Sequence, residues 1–307
     1  MTAERLVTRI EDGIAAYREL RRSRWNEPEA RDIGDGFAVR RSSDILRPGT
    51  AWETPLYAVD TRVDGPTVFI LAGQQGFEPS GVNAADILRR MTPESGKLLV
   101  IPIANKTAVD ENPSYHGRHG NMNRNWNSGG RPATPMTRTI WDRFTAADPD
   151  LAFDLHSSMG IYHVDPPDPD PPVGQAVFPT DDVAAKRASE AVRQTLNEDY
   201  LAQFPYCYRY DEGGLQDGSE DMFSDRVHVD STASCLLCET TRDHGILPTP
   251  KQTLWHLVTV LRAAETFGMT FEESIDDVAP TTSRSPHRCA TCADRGTLRA
   301  ERWNYSC

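Results

Sequence analysis

Four short polar segments each follow an apolar run, and together they carry the residue types of a hydrolytic site. They are Gly73-Gln74-Gln75-Gly76-Phe77-Glu78, Asn121-Met-Asn123-Arg124-Asn125-Trp126, Asp154-Leu-His156-Ser157-Ser158 and Cys238-Glu239-Thr-Thr-Arg242-Asp243-His-Gly245. A catalytic zinc takes about three ligands from His, Glu and Asp and keeps an open position for water. Glu78 and His156 suit that task. Glu239 is a carboxylate of the type that takes a proton from the activated water. Arg124 offers a planar fork for a substrate carboxylate, and Asn123 adds hydrogen bonds. The chemistry implied is metal-assisted hydrolysis of a bond close to a negative charge.

The elements that must position these residues read as an alternation of strands and helices. Thr67–Ala72, Leu98–Ile103, Leu151–His156 and Ser234–Thr240 are apolar runs of the length of strands buried on both faces. Short strands are expected at Phe37–Arg40 and Leu56–Asp60, and helices at 4–21, 81–91 with Ser80 as cap, 137–146, 181–199 and 251–267. Residues 104–135 and the Pro/Asp stretch 165–172 read as loops. The expected fold class is α/β, with a mixed, mostly parallel central sheet flanked by helices. Open sheets of this kind build sites at the C-terminal ends of their strands, where the four polar segments fall.

These segments give the chain a resemblance to the zinc carboxypeptidase (M14) superfamily, which includes the succinylglutamate desuccinylase and aspartoacylase deacylases. Gly73 to Glu78 matches the spacing of its Gly-x-His-x-x-Glu motif, and Asn123-Arg124-Asn125-Trp126 is similar to its carboxylate clamp. Asp154-Leu-His156 is similar to its second histidine motif, and the segment from Glu239 to its general-base segment. The resemblance implies one zinc, or another divalent cation, held by Glu78, His156 and Gln75, with Gln75 standing where the family has histidine. It implies Glu239 as general base, Arg118 as the group that polarises the scissile carbonyl, and Asn123 and Arg124 as the substrate clamp. Substrates would be small peptides or N-acyl amino acids. His116, His119 and His163 are candidates to replace the missing histidine. The segment Gly218–Ser224 lacks the tyrosine that peptidase members carry before the general base. The alternative is a metal-free pseudo-enzyme of the same fold that binds a carboxylate ligand.

The chain has 307 residues, read as a hydrolase domain over 1–270 and a polar tail over 271–307. Cys235 and Cys238 lie an odd number apart in an apolar strand and are expected to pack on opposite faces. In the tail, His287, Cys289, Cys292 and Cys307 are a candidate for a second, structural zinc. Acidic residues number 45 against 33 basic ones, for a net charge of −12. That balance opposes nonspecific binding to nucleic acid or anionic membrane, and with it a nucleic-acid-binding reading of the tail. Only Lys97, Lys106, Lys186 and Lys251 are lysines, a composition expected of a protein that works in high salt. No apolar run is long enough to span a bilayer and the first residues have no apolar signal core, so a cytoplasmic location is expected.

Overall fold

The computed structural model describes residues 39–111, 120–165, 172–202, 208–215, 221–242 and 249–274. The helix expected at 4–21 and the Cys-containing tail lie outside them. The strands are β1 (Arg40–Leu46), β2 (Thr54–Asp60), β3 (Thr67–Ala72), β4 (Lys97–Ile101), β5 (Leu151–Ser158), β6 (Ala176–Pro179), β7 (Asp211–Glu212) and β8 (Ser234–Thr241). They form one sheet in the order β1-β2-β4-β3-β5-β8-β6-β7. The central strands β4, β3, β5 and β8 run parallel, while β2 on one side and β6 on the other pair antiparallel to them. The apolar runs became this centre because parallel strands bury both faces under crossover helices; every residue of β8 is buried.

The helices are α1 (Pro79–Leu88), α2 (Lys106–Glu111), α3 (Pro135–Ala147), α4 (Val183–Thr195), α5 (Phe223–Asp230) and α6 (Thr249–Thr266). Ile70, Phe153, Leu155 and Leu236 face a core shared with α1, α4 and α6. Phe69, Leu71, Ala152 and Cys235 face the other core, with Met136, Ile140 and Phe144 of α3 and Phe223 and Val227 of α5. Cys238 belongs to the first core and Cys235 to the second, as their odd spacing requires. Both are buried free thiols. Edge-to-face aromatic pairs, Phe69 on Phe144 at 5.3 Å and Trp126 on Phe223 at 4.9 Å, add about 0.5–1.5 kcal/mol each to the second core.

Several expectations need correction. The first described strand is Arg40–Leu46, with Val39 outside it, so the expected strand at 37–40 meets it at Arg40 alone; residues 37 and 38 lie outside the described residues. The stretch 104–135 contains α2 and a 3₁₀ turn at Met122–Arg124. The helix expected at 181–199 is α4 followed by a π turn, Leu196–Tyr200. Ser80 does not cap α1: the helix starts one residue earlier, at Pro79, with Glu78 at the N-cap position. Among the described residues after α6, Glu272 N donates to Thr92 O at 2.9 Å and Glu273 Oε2 accepts from Thr92 N at 2.8 Å. Among the described residues no helix is long and apolar enough to cross a membrane.

Candidate active site

Strand register sets the site. His156 on β5 is directly paired with Glu239 on β8, and parallel neighbours in register point to the same face. Alternation along β5 puts Asp154 on that face too, two residues before His156. Glu78 arrives from the end of β3. Gly73 adopts φ +66, and a Cβ there would lie 2.8 Å from the Pro102 carbonyl oxygen, so the turn out of β3 requires glycine. At Gly81 a Cβ would lie 2.9 Å from Leu155 O; its absence lets the first turn of α1 rest on β5. That close approach brings Glu78 Oε2 to 2.8 Å from His156 Nδ1.

His156 is buried and contacted on both ring nitrogens, with Asp154 Oδ1 2.9 Å from Nε2. Burial alone would lower its pKa, but the Asp154 and Glu78 carboxylates outweigh burial and hold it well above the ordinary value. Burial pushes the Glu239 carboxyl well above its usual range; Glu78 and Asp154 add to the rise, and His156 and Arg242 oppose it. Glu239 Oε2 and Asp154 Oδ2 are buried without a hydrogen-bond partner.

Behind this face the sheet carries a knot of hydroxyls. Ser80 Oγ lies 2.6 Å from Ser157 Oγ, and Ser157 Oγ 2.9 Å from Thr240 Oγ1. Each of these residues is a close chain neighbour of Glu78, His156 or Glu239. Thr240 is also 3.4 Å from His256 Nε2 on α6. Burial, with the nearby His156 charge, lowers the His256 pKa to about 3.

The sequence candidates divide into those the structure brings together and those it does not. Glu78, His156 and Glu239 share the site. Asn123 is there as well, but its amide is engaged within the protein: Oδ1 accepts from Phe223 N at 3.0 Å, and Nδ2 lies 3.1 Å from His156 Nε2. Gln75 donates through Nε2 to Asn121 Oδ1 at 3.1 Å. Its neighbour Gln74 is the glutamine that touches His156, with Nε2 2.7 Å from Asp154 Oδ1 and 3.2 Å from His156 Nε2. Arg124 is exposed, and its Nη1 donates to Asn123 O at 2.8 Å. His163 lies on Asp211 at 3.0 Å, with its ring stacked on Tyr162, away from His156. Arg118, His116, His119 and the tail cysteines lie outside the described residues.

The sequence reading gave no role to Gln74, Asp154 or the hydroxyl knot. Strand alternation from His156 is a signal that finds Asp154, and the same alternation places Ser157 and Thr240 on the opposite face. The motif spacing singles out Gln75, and nothing in the sequence gives Gln74 its contacts with Trp126, Asp154 and Asn123. Among the described residues no group of three or more His, Cys, Asp and Glu side chains is arranged to hold a metal ion. The donor set still fits a divalent cation in two respects. Glu78 and His156 bring a carboxylate and an imidazole nitrogen together, and two buried carboxylate oxygens beside them are left unsatisfied.

Comparison with known proteins agrees with this architecture. A family model described as Peptidase_M99, "Carboxypeptidase controlling helical cell shape catalytic", matches residues 48–175, less than half of the chain. No curated protein matches the sequence. Among solved structures, the tripeptide-bound cell shape determinant Csd4 from Helicobacter pylori superposes with a TM-score of 0.59 at 21% identity, over 68% of this chain and 53% of that one. The mDAP-bound form of the same protein, described as a D,L-carboxypeptidase, gives 0.58 at 20% identity over 68% and 52%. A glutamine-to-histidine variant of Csd4 gives 0.58 at 20% over 68% and 53%. The chain therefore spans about half the length of the Csd4 structures it matches, and what it shares with them is a carboxypeptidase-like α/β fold.

Proposed function

We propose that this protein is a metal-dependent hydrolase that cleaves an amide or peptide bond next to a carboxylate. The observation that carries the reading is the meeting of Glu78 and His156 at 2.8 Å, at the C-terminal edge of the parallel strands, with Glu239 in register one strand away. Glu78 and His156 would hold zinc or a similar divalent cation, with Gln75 as a neutral third donor. The chemistry such a cation supplies is polarisation of the scissile carbonyl and acidification of a water. Glu239, buried and with Oε2 unsatisfied, takes up the proton and returns it to the leaving amine. Arg124, exposed at the rim, receives the substrate carboxylate. The parts assigned to Arg118 and to Asn123 as a substrate ligand rest on the sequence resemblance. Short peptides with a free carboxylate are the first substrates to test, since structures of Csd4 hold a tripeptide and mDAP; N-acyl amino acids are the second.

The test is metal content followed by turnover, on the full chain. Elemental analysis is expected to find one divalent cation per chain, lost in His156→Ala and Glu78→Gln. Glu239→Gln is expected to keep the cation and lose hydrolysis by about 10²-fold or more. Wild-type protein without a cation, even after zinc is supplied, sinks the proposal. A metal-free protein that binds a carboxylate ligand is then the better reading, the one favoured by the absence of a three-ligand group among the described residues. Calorimetric titration with N-acyl amino acids in chelator would reveal it.

A further inference from the structure

The arrangement around Gln74 is the most completely determined hydrogen-bond network at the site. Gln74 and Trp126 are both fully buried. An indole N–H can only donate, so the atom of Gln74 that meets Trp126 Nε1 at 2.9 Å is its oxygen. That fixes the amide orientation, and Nε2 must face Asp154 Oδ1 at 2.7 Å and Asn123 Oδ1 at 3.2 Å. The Asn123 orientation is fixed in the same way, because the backbone N–H of Phe223 also donates to its Oδ1. Trp126 itself is held rigidly. Its ring packs edge-on against Phe223, its backbone N–H donates to Asp221 O at 3.1 Å, and its backbone carbonyl accepts from Arg226 Nη1 at 2.8 Å.

We propose that Trp126 and Gln74 form a positioning relay that holds Asp154 Oδ1 against His156 Nε2 and thereby fixes the ring with Nδ1 facing Glu78. The inference deepens the metal-hydrolase reading and rests on it for its functional meaning. The short contacts on His156 are the two carboxylate contacts, at 2.8 Å on Nδ1 and 2.9 Å on Nε2. The amide nitrogens of Asn123 and Gln74 approach Nε2 less closely, at 3.1 and 3.2 Å. Without the relay, Asp154 is free to rotate and the ring loses the carboxylate that anchors its Nε2 edge. The ring is then no longer fixed with Nδ1 where, beside Glu78, it would meet a cation. Outer partners that fix a ligating histidine typically govern metal affinity by about 10–100-fold. Gln74 thus acts through Asp154 and is no ligand itself, although it stands beside Gln75.

The experiment measures cobalt(II) affinity and the visible spectrum of the cobalt-loaded chain in wild type, Trp126→Phe, Gln74→Met and the double variant. Each single change is expected to weaken cobalt by about 10–100-fold and shift the spectrum, with folded protein confirmed by circular dichroism. The double variant is expected to bind no worse than the weaker single one, because both changes cut the same path. Wild-type affinity in the single variants, or losses that multiply in the double, overturns the relay. If Trp126→Phe does not fold, Gln74→Met alone carries the test, methionine being close to glutamine in size. Should wild-type protein bind no cobalt, the hydrolase reading fails separately. The relay is then decided in the metal-free chain by ¹⁵N-edited spectra of labelled histidine. A His156 ring-nitrogen resonance that is shifted by Trp126→Phe supports it, and an unchanged resonance overturns it.

Discussion

At the scale of single residues the site depends on which of two adjacent glutamines faces which partner. Gln74 is enclosed by Trp126, Asp154 and Asn123, whereas Gln75 reaches Asn121 on the 3₁₀ turn. A histidine at 75 would place an imidazole at the position suited to a third ligand, in place of a neutral amide that zinc disfavours. Gln75→His is therefore expected to tighten zinc binding by at least about 1.4 kcal/mol, or tenfold, as read by competition with a chelating dye. Gln74→His should loosen it, because the ring cannot both accept from Trp126 and donate to Asp154 and Asn123. Equal effects of the two substitutions would mean that Gln75 does not approach the metal. Glu78 and His156 were legible in the sequence because each lies in a polar segment at the end of an apolar run. The division of labour between the glutamines was not, since it depends on the turn that Gly73 makes with φ +66.

At the scale of elements, the site is held by contacts that sequence periodicity does not display. The long apolar strands and the helices that cover them were readable from their runs. β6, β7 and α5 were not, because elements of two to eight residues carry too few periods to register. Yet α5 anchors the loop that follows the 3₁₀ turn: Arg226 Nη1 donates to the carbonyls of Trp126, Asn127 and Gly130, each within 2.8 Å, while its guanidinium lies 4.4 Å from the Trp141 ring. Arg226→Met leaves those acceptors unpaired and is expected to cost about 3 kcal/mol or more in chemical denaturation. A loss below about 1 kcal/mol would show that the loop is held by other means. On the opposite edge, Asp182 caps α4 through Ala185 N at 2.8 Å and ties it to β8 through Ser234 Oγ at 2.8 Å. Partial burial would raise its pKa, but these bonds and that from Thr180 prevail and lower it. A carboxyl with a depressed folded-state pKa stabilises fully above its unfolded value, near 3.9, and loses that contribution as pH falls through the folded value. Asp182→Ala is expected to cost about 1 kcal/mol at neutral pH, and the gap from wild type should narrow below about pH 4. A gap that stays constant to pH 2 would assign the loss to packing instead.

At the scale of the whole molecule, a charge of −12 on a chain with only four lysines, Lys97, Lys106, Lys186 and Lys251, sets how the fold responds to salt. The short ion pairs of the surface, such as Arg262 with Glu265 at 2.6 Å, are few-residue affairs worth little and screened by ions. The net repulsion among acidic groups is spread over the whole surface and acts across distances beyond contact. Raising ionic strength from about 0.1 to 1 M shortens the screening length from about 10 to about 3 Å, which removes most of that repulsion. The Glu78–His156 contact is buried and lies within this length, so the site keeps its electrostatics while the surface is relieved. Thermal unfolding of the full chain is therefore expected to shift upward by several degrees between 0.1 and 2 M potassium chloride, an increment of about 1–2 kcal/mol for a fold of this size. Metal affinity should change far less than stability over the same range. An unfolding midpoint that falls or stays level would mean that surface repulsion does not limit the fold, and that the scarcity of lysine reflects an arginine-favouring composition instead of adaptation to salt.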